Sequence, residues 1–168
     1  SLALFEAFIG IGVQAQALTL KWPNDVLLNG GKVAGILLES IGSGAGVTHL
    51  AIGIGVNLAD APVPGDVEPH ALRPVSLLSE TGVAIDPEDF LFQLATAYAR
   101  LESQFTTFGF APIREAWLAR AAKLGEIITA RTSNSETTGT FETVDAQGNL
   151  ILKTSKSRVA IAAADVFF

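Results

Sequence analysis

The chain has 168 residues, 49% apolar and 17% charged, with 17 acidic residues against 11 basic ones and a net charge of −6. That composition supports one compact core plus a small second domain, and it excludes a disordered chain. No run of Lys or Arg offers the counterion-releasing surface that nucleic-acid binding depends on, and the lack of cysteine excludes a disulfide framework, a thiolate zinc site and a thiol nucleophile, in keeping with a reducing cytoplasm.

In chain order, the apolar positions Leu2, Leu4, Phe5, Phe8, Ile9 and Val13 predict a helix that Gly10 and Gly12 end. The chain opens at Ser1 inside this periodic segment, with no initiator Met and no secretory signal, and is read as the downstream part of a longer protein. Leu18 to Leu28 is apolar but interrupted by Lys21-Trp22-Pro23-Asn24-Asp25, and Asn29-Gly30-Gly31 turns it into a second strand over Lys32 to Glu39. Ser40 to Gly46 is a Gly/Ser turn, and Val47 to Val56 a third strand whose Gly53 and Gly55 permit close backbone approach. The charge-free stretch Ser40 to Ala59 carries five glycines, His49 and Asn57, too polar a mixture for a membrane span.

Ala59 to Pro74, with four prolines, is expected as a surface loop and Val75 to Thr81 as a short helix. Asp86-Pro87-Glu88-Asp89 is a helix start, followed at helical spacing by Phe90, Leu91, Leu94, Tyr98, Leu101 and Phe105; Gly109 breaks that helix and Pro112 opens another to about Leu124. Beyond Gly125 short β-branched runs take over at Ile127–Thr132, Glu136–Val144, Asn149–Thr154, Arg158–Ile161 and Asp165–Phe168, the texture of a small barrel. The boundary between residues 1–124 and 125–168 has no long linker, so the two domains should touch.

The residues with chemistry cluster early. Pro23 forces Trp22 into extended backbone and removes a ladder donor just where Asn24 and Asp25 appear, leaving their side chains free to face a ligand. Neighbours on a strand point to opposite faces, so Asn24 and Asp25 share a cleft only if a bulge or bend re-aims one. Lys32 and Gly35 put an ammonium and a bare backbone on the next strand, a constellation for a carboxylate or phosphate. Each also has a plainer reading: Lys32 as a solvated hairpin residue, Asp25 as a turn cap, Asn57 as a strand-ending residue and Trp22 as core. His49 and His70 have no partner at zinc-ligand spacing and are read as structural. Neither a Walker P-loop nor G-x-G-x-x-G occurs, so any nucleotide site is of another kind.

Taken together and in order, Lys21-Trp22-Pro23-Asn24-Asp25, the glycine-turn hairpin, Lys32-x-x-Gly35-Ile36-Leu37-x-Glu39 and Gly53-Ile54-Gly55-x-Asn57 closely resemble the biotin protein ligase family. Gly125-Glu126, Gly139-Thr140, Asp145 to Leu150 and Asp165-Val166 extend the likeness through the C-terminal part. The resemblance implies an α+β fold: a mixed or antiparallel sheet with packed helices, class II synthetase-like, then an SH3-like barrel. It implies an ATP-dependent ligase that makes biotinyl-5′-AMP and passes biotin to a lysine of a biotin carboxyl carrier protein of the acetyl-CoA carboxylase type. ATP, biotin and Mg²⁺ would be its small molecules and the cytoplasm its compartment, with a homodimer as one open arrangement; this chain's own residues indicate no membrane or nucleic-acid partner.

On this resemblance Lys32 touches the biotin carboxyl and phosphoryl oxygens, Asp25 holds Mg²⁺ or organises charge, Asn24 and Asn57 read adenine, Gly35 meets biotin through its backbone, and Lys21 supports from behind. The family's Arg/Gly-rich biotin loop has no counterpart here, the six arginines being scattered, so the 168 residues alone are expected to bind adenylate weakly and turn over little. A non-catalytic adenylate- or biotin-binding or interaction module, and a lipoate-type acyl ligase, are the alternatives.

Overall fold

The computed structural model describes residues 1–42, 47–63 and 72–168. Part of the expected Gly/Ser turn, and half of the proline-rich loop including His70, lie outside the described residues. Helix α1 (Leu2–Gly10) is followed by a 3-10 turn at Ala15–Ala17 and by strands β1 (Leu18–Lys21), β2 (Asp25–Leu28), β3 (Gly31–Gly42) and β4 (Val47–Val56). The four strands form one antiparallel sheet in sequential order. The single interrupted strand expected over Leu18 to Leu28 is two strands. Trp22, Pro23 and Asn24 form a tight turn, with a cis Trp22–Pro23 bond, and Lys21 pairs with Asp25 across it. Strand β3 also runs on to Gly42, three residues beyond its expected end, because β4 continues to pair with it through Ile41↔His49 and Gly42↔Val47.

Between β2 and β3 the turn Asn29-Gly30 has φ of 49° and 78°, the left-handed pair that a two-residue hairpin requires. Outside the sheet, α2 (Leu77–Thr81) starts at a reciprocal Ser76/Ser79 cap, α3 spans Pro87–Phe108 behind the Asp86 cap, and α4 spans Phe110–Leu118. The last begins two residues before Pro112, which sits inside its first turn, where a missing N–H costs little. Phe8 of α1 meets Phe90 of α3 with ring centroids 5.1 Å apart, and these rings join Leu4, Leu20, Leu28 and Val33 in the first core.

The remaining strands are β5 (Ile127–Arg131), β6 (Glu136–Val144), β7 (Leu150–Lys153), β8 (Arg158–Ile161) and β9 (Asp165–Phe167). They form a five-stranded antiparallel sheet in the order β8-β7-β6-β5-β9, close to the expected segments, around a second core of Ile128, Phe141, Leu150, Leu152 and Val166. The segment that follows α4 runs along β1 at Leu20, whose N–H donates to Arg120 O (2.9 Å) and whose carbonyl accepts from Ala122 N–H (2.8 Å), so the open edge of β1 is covered. No helix among the described residues is long and apolar enough to cross a membrane.

Candidate functional site

Asp25 opens β2 and is buried, with 8% of its surface exposed. Lys32 Nζ lies 2.7 Å from its Oδ1, and Lys21 Nζ lies 3.7 Å from its Oδ2. Oδ1 is buried, meets the Lys32 ammonium as an ion pair and makes no hydrogen bond. Lys32 reaches Asp25 because of a bulge. The register runs Asp25↔Gly35 and Val26↔Ala34, then skips Val33 to pair Leu27↔Lys32. In a regular strand Lys32 and Gly35 would point to opposite faces; the extra residue puts both on the face of Asp25. Gly35 makes the space: a Cβ there would stand 3.1 Å from Lys32 Cε, 3.3 Å from its Nζ and 3.4 Å from Asp25 Oδ1.

These groups line a hollow of about 520 Å³ together with Asn57, Gly55, Pro62, Leu72 and Pro74. Five of the six residues singled out from sequence, namely Lys21, Asp25, Lys32, Gly35 and Asn57, therefore meet in one place. Asn24 does not line it. It is exposed in the turn, its Nδ2 donates to Ile36 O (2.5 Å) and its carbonyl accepts from Ile36 N–H, so the side chain mimics a strand pair against β3. The re-aiming that would bring Asn24 and Asp25 into one cleft is absent. Asn57 faces the hollow, but its Nδ2 donates to Val75 O (2.9 Å) and Lys32 O (3.4 Å), which fastens the end of β4 to the segment beside Lys32. Lys32 is bracketed from the same side: its N–H donates to Arg73 O and its carbonyl accepts from Val75 N–H.

The far wall is Asp165, Val166 and Phe167 of β9, which sequence reasoning did not include in the site. Asp165-Val166 stood out in sequence only as part of the family likeness; the pairing of β9 with β5, which no local pattern encodes, carries it there. Lys21 is accordingly crowded, with Phe168 at 5.8 Å from its ammonium and Asp25, Lys32 and Asp165 as charged neighbours. Desolvation outweighs the pull of Asp25 and lowers its pKa from the usual 10.5. A second cavity of about 530 Å³ lies between α1, α3, α4 and Gly148; it is mostly apolar and contains none of the lysine–carboxylate contacts. The chemistry belongs to the hollow: two ammonium groups around one buried carboxylate, beside a backbone without side chain, suit an anionic ligand.

Residues 2–57 match the Biotin/lipoate A/B protein ligase family and residues 123–168 the Biotin protein ligase C terminal domain. A biotin--[acetyl-CoA-carboxylase] ligase of Paracoccus denitrificans is 60% identical over 169 residues, covering all of this chain and 70% of the relative. The bifunctional ligase/repressor BirA of Bacillus subtilis is 32% identical over 88% of this chain and 45% of its own length, so the chain spans less than half of that relative. In three dimensions the chain is similar to biotin protein ligase from Aquifex aeolicus, in its apo form (TM-score 0.82, 22% identity) and in complex with biotin and ATP (TM-score 0.74, 21% identity). Each match covers 98% of this chain and 71% of the other. The chain belongs to the biotin protein ligase family.

Proposed function

We propose that this chain carries the phosphate-binding side of an ATP-dependent biotin protein ligase. In its intact form the enzyme joins biotin to ATP as biotinyl-5′-AMP, then transfers the biotinyl group to a lysine of a biotin carboxyl carrier protein of the acetyl-CoA carboxylase type. The observation that carries this reading is the half-exposed Lys32 ammonium, held over a buried carboxylate in a hollow large enough for a nucleotide's phosphates. A carboxylate oxygen attacking the α-phosphorus brings anion against anion, and pyrophosphate leaves with further negative charge; a fixed ammonium at that point lowers the barrier. In the second step an uncharged lysine amine of the carrier attacks the acyl carbon, AMP departs, and the amide nitrogen gives up its proton. Lys32 again faces the oxygens on which charge develops.

Asp25 would hold Mg²⁺ as a single-carboxylate ligand by exchanging the Lys32 ammonium at its buried Oδ1 for the ion, which takes its other ligands from water and phosphate. Bound there, Mg²⁺ would neutralise phosphate charge. Gly35 serves by leaving room for Lys32. For Asn57 the bonds to Val75 and Lys32 carbonyls support a bracing role, since its donor is already committed and a paired reading of adenine would have to break them. The same holds for Asn24, tied to Ile36. The reading places residues 1–124 in the catalytic part, 125–168 in a separate C-terminal domain, and the reaction in the cytoplasm. For self-association the open edge of β4 is the surface offered, with Leu38, Leu50 and Ile52 exposed on one face of the β3–β4 ribbon.

The test is to melt the protein with biotin plus MgATP, lipoate plus MgATP, and ATP alone, since a ligand of the native state raises its melting temperature. Stabilisation by biotin with nucleotide, and not by lipoate, is expected. In the intact enzyme Lys32→Ala should slow adenylate formation by about 10² or more with the fold retained; a rate equal to wild type removes Lys32 from the chemistry.

A further inference from the structure

Trp22 adjoins Lys21 in sequence, yet its indole is not part of the core beneath β1–β4. It is 6% exposed in the core of the C-terminal sheet, among Phe141, Val144, Leu150 and Leu152. Its Nε1–H donates to Gly148 O at 3.2 Å. That acceptor is itself fixed. Gly148 has φ of 87° in a turn where Asp145 Oδ1 accepts from Gln147 N–H and Asn149 N–H (2.9 and 2.8 Å) and Oδ2 from Asn149 Nδ2 (2.9 Å). Val166 of β9, whose neighbour Asp165 faces Lys21, lies in the same core as Trp22. Both flanks of the hollow are thus referenced to one body, the β1–β2 turn through Trp22 and β9 through Val166. Lys21 and Asp25 stand at the two ends of that turn, so any displacement of the indole moves both.

We propose that Trp22 is a positioning residue: seated in the C-terminal sheet and tied to Gly148 O, it sets the spacing between Lys21 and Asp25 on one side of the hollow and β9 on the other, and so the fit to the triphosphate of a nucleotide. The inference rests on the ligase reading given above. It makes the C-terminal sheet a part of the nucleotide half of the site, acting through a residue that touches neither substrate. Small misplacements of binding groups are costly in such sites, which is what a positioning residue prevents.

The intact enzyme with Trp22→Phe keeps an apolar ring and loses the N–H donor; Asp145→Ala loosens the acceptor's turn from the other side without touching the hollow. Each should raise KM for MgATP about five-fold while KM for biotin stays put. The double variant should be no worse than the worse single one, because both act through one contact. An independent readout is the NMR shift of ¹³C-dimethylated Lys21 at fixed pH without nucleotide or metal: the Phe168 ring lies 5.8 Å from its ammonium and Asp25 3.7 Å, so a shifted β9 or turn moves that resonance. A folded Trp22→Phe enzyme with a lowered melting temperature but an unchanged KM for MgATP would show a merely structural tryptophan and overturn the proposal. If the wild type makes no biotinyl-AMP, the ligase reading fails, and the Lys21 resonance decides the positioning role alone: a moved resonance in both variants supports it, an unmoved one overturns it.

Discussion

At Gly35 a missing Cβ decides the site. The side chain it would carry competes for space with the end of Lys32, which is flexible, so the fold survives a substitution while the ammonium is pushed aside. Gly35→Val should therefore keep its melting temperature within a few degrees of wild type but lose most of the stabilisation that MgATP confers, as thermal melts with and without nucleotide will show. Lys21 sets a pH dependence. Because burial lowers its pKa, the unfolded chain holds this proton to higher pH than the folded one, and the cost of burying the charge fades as pH rises toward 10.5. Anion binding runs the other way, since it needs the charged lysine: affinity for ATP should fall from neutral to alkaline pH. Lys21→Arg, which stays charged, should postpone that fall in a calorimetric titration series. Lys21, Asp25, Lys32 and Gly35, which line the hollow, stood out in sequence by their order and spacing and the family likeness these carry. Their true arrangement did not, because Val33 looks like any strand residue and nothing marks it as the bulge that turns Lys32 over.

Among the elements, the hairpin turn at Asn29-Gly30 is tied to α2 by Asn29 Nδ2, which donates to Glu80 Oε2 (3.0 Å), while Arg73 reaches Oε1 (2.9 Å). Those two bonds hold the Glu80 carboxyl below its usual 4.5, the Asn29 bond first. A carboxylate with a depressed folded pKa stabilises above its unfolded value, and that stabilisation is lost as pH falls through the folded one. Glu80→Gln should lower the melting temperature modestly at neutral pH and leave it unchanged once acid has protonated Glu80 in wild type, measured by melts across the acid range. Helix α3 could be read from Asp86-Pro87 and its apolar stripe, and β5 to β9 from their alternation, because those signals are local. The Trp22–Asn24 turn was misread as an interruption: Pro23 announces a break in pairing but not whether the chain resumes or reverses. The bracing of Lys32 by Arg73 and Val75 joins segments some forty residues apart, which no local pattern encodes.

The whole molecule is two cores meeting at two tryptophans. Trp22 lies in the second core, and Trp117 packs against both, its ring 6.4 Å from Phe141. Shared side chains of this size couple the two sheets, so tryptophan fluorescence and far-ultraviolet circular dichroism should report a single coincident unfolding transition. Separate midpoints would mean that the halves unfold independently. At the other end of the first sheet β4 is an open edge with apolar residues on its face, and a lysine there should block edge pairing. If self-association uses this edge, Ile52→Lys should shift the intact protein toward monomer in sedimentation while its melting temperature in dilute solution holds.

Because β9 forms the far wall of the hollow, the order of synthesis matters. Lys21, Asp25 and Lys32 leave the ribosome long before Asp165, and at ~5–20 residues per second the half-built cradle stays open to water for several seconds or more. A nascent chain therefore completes its nucleotide cradle late, and a transcript truncated within β9 would yield a product with a finished first sheet and a pocket missing one side.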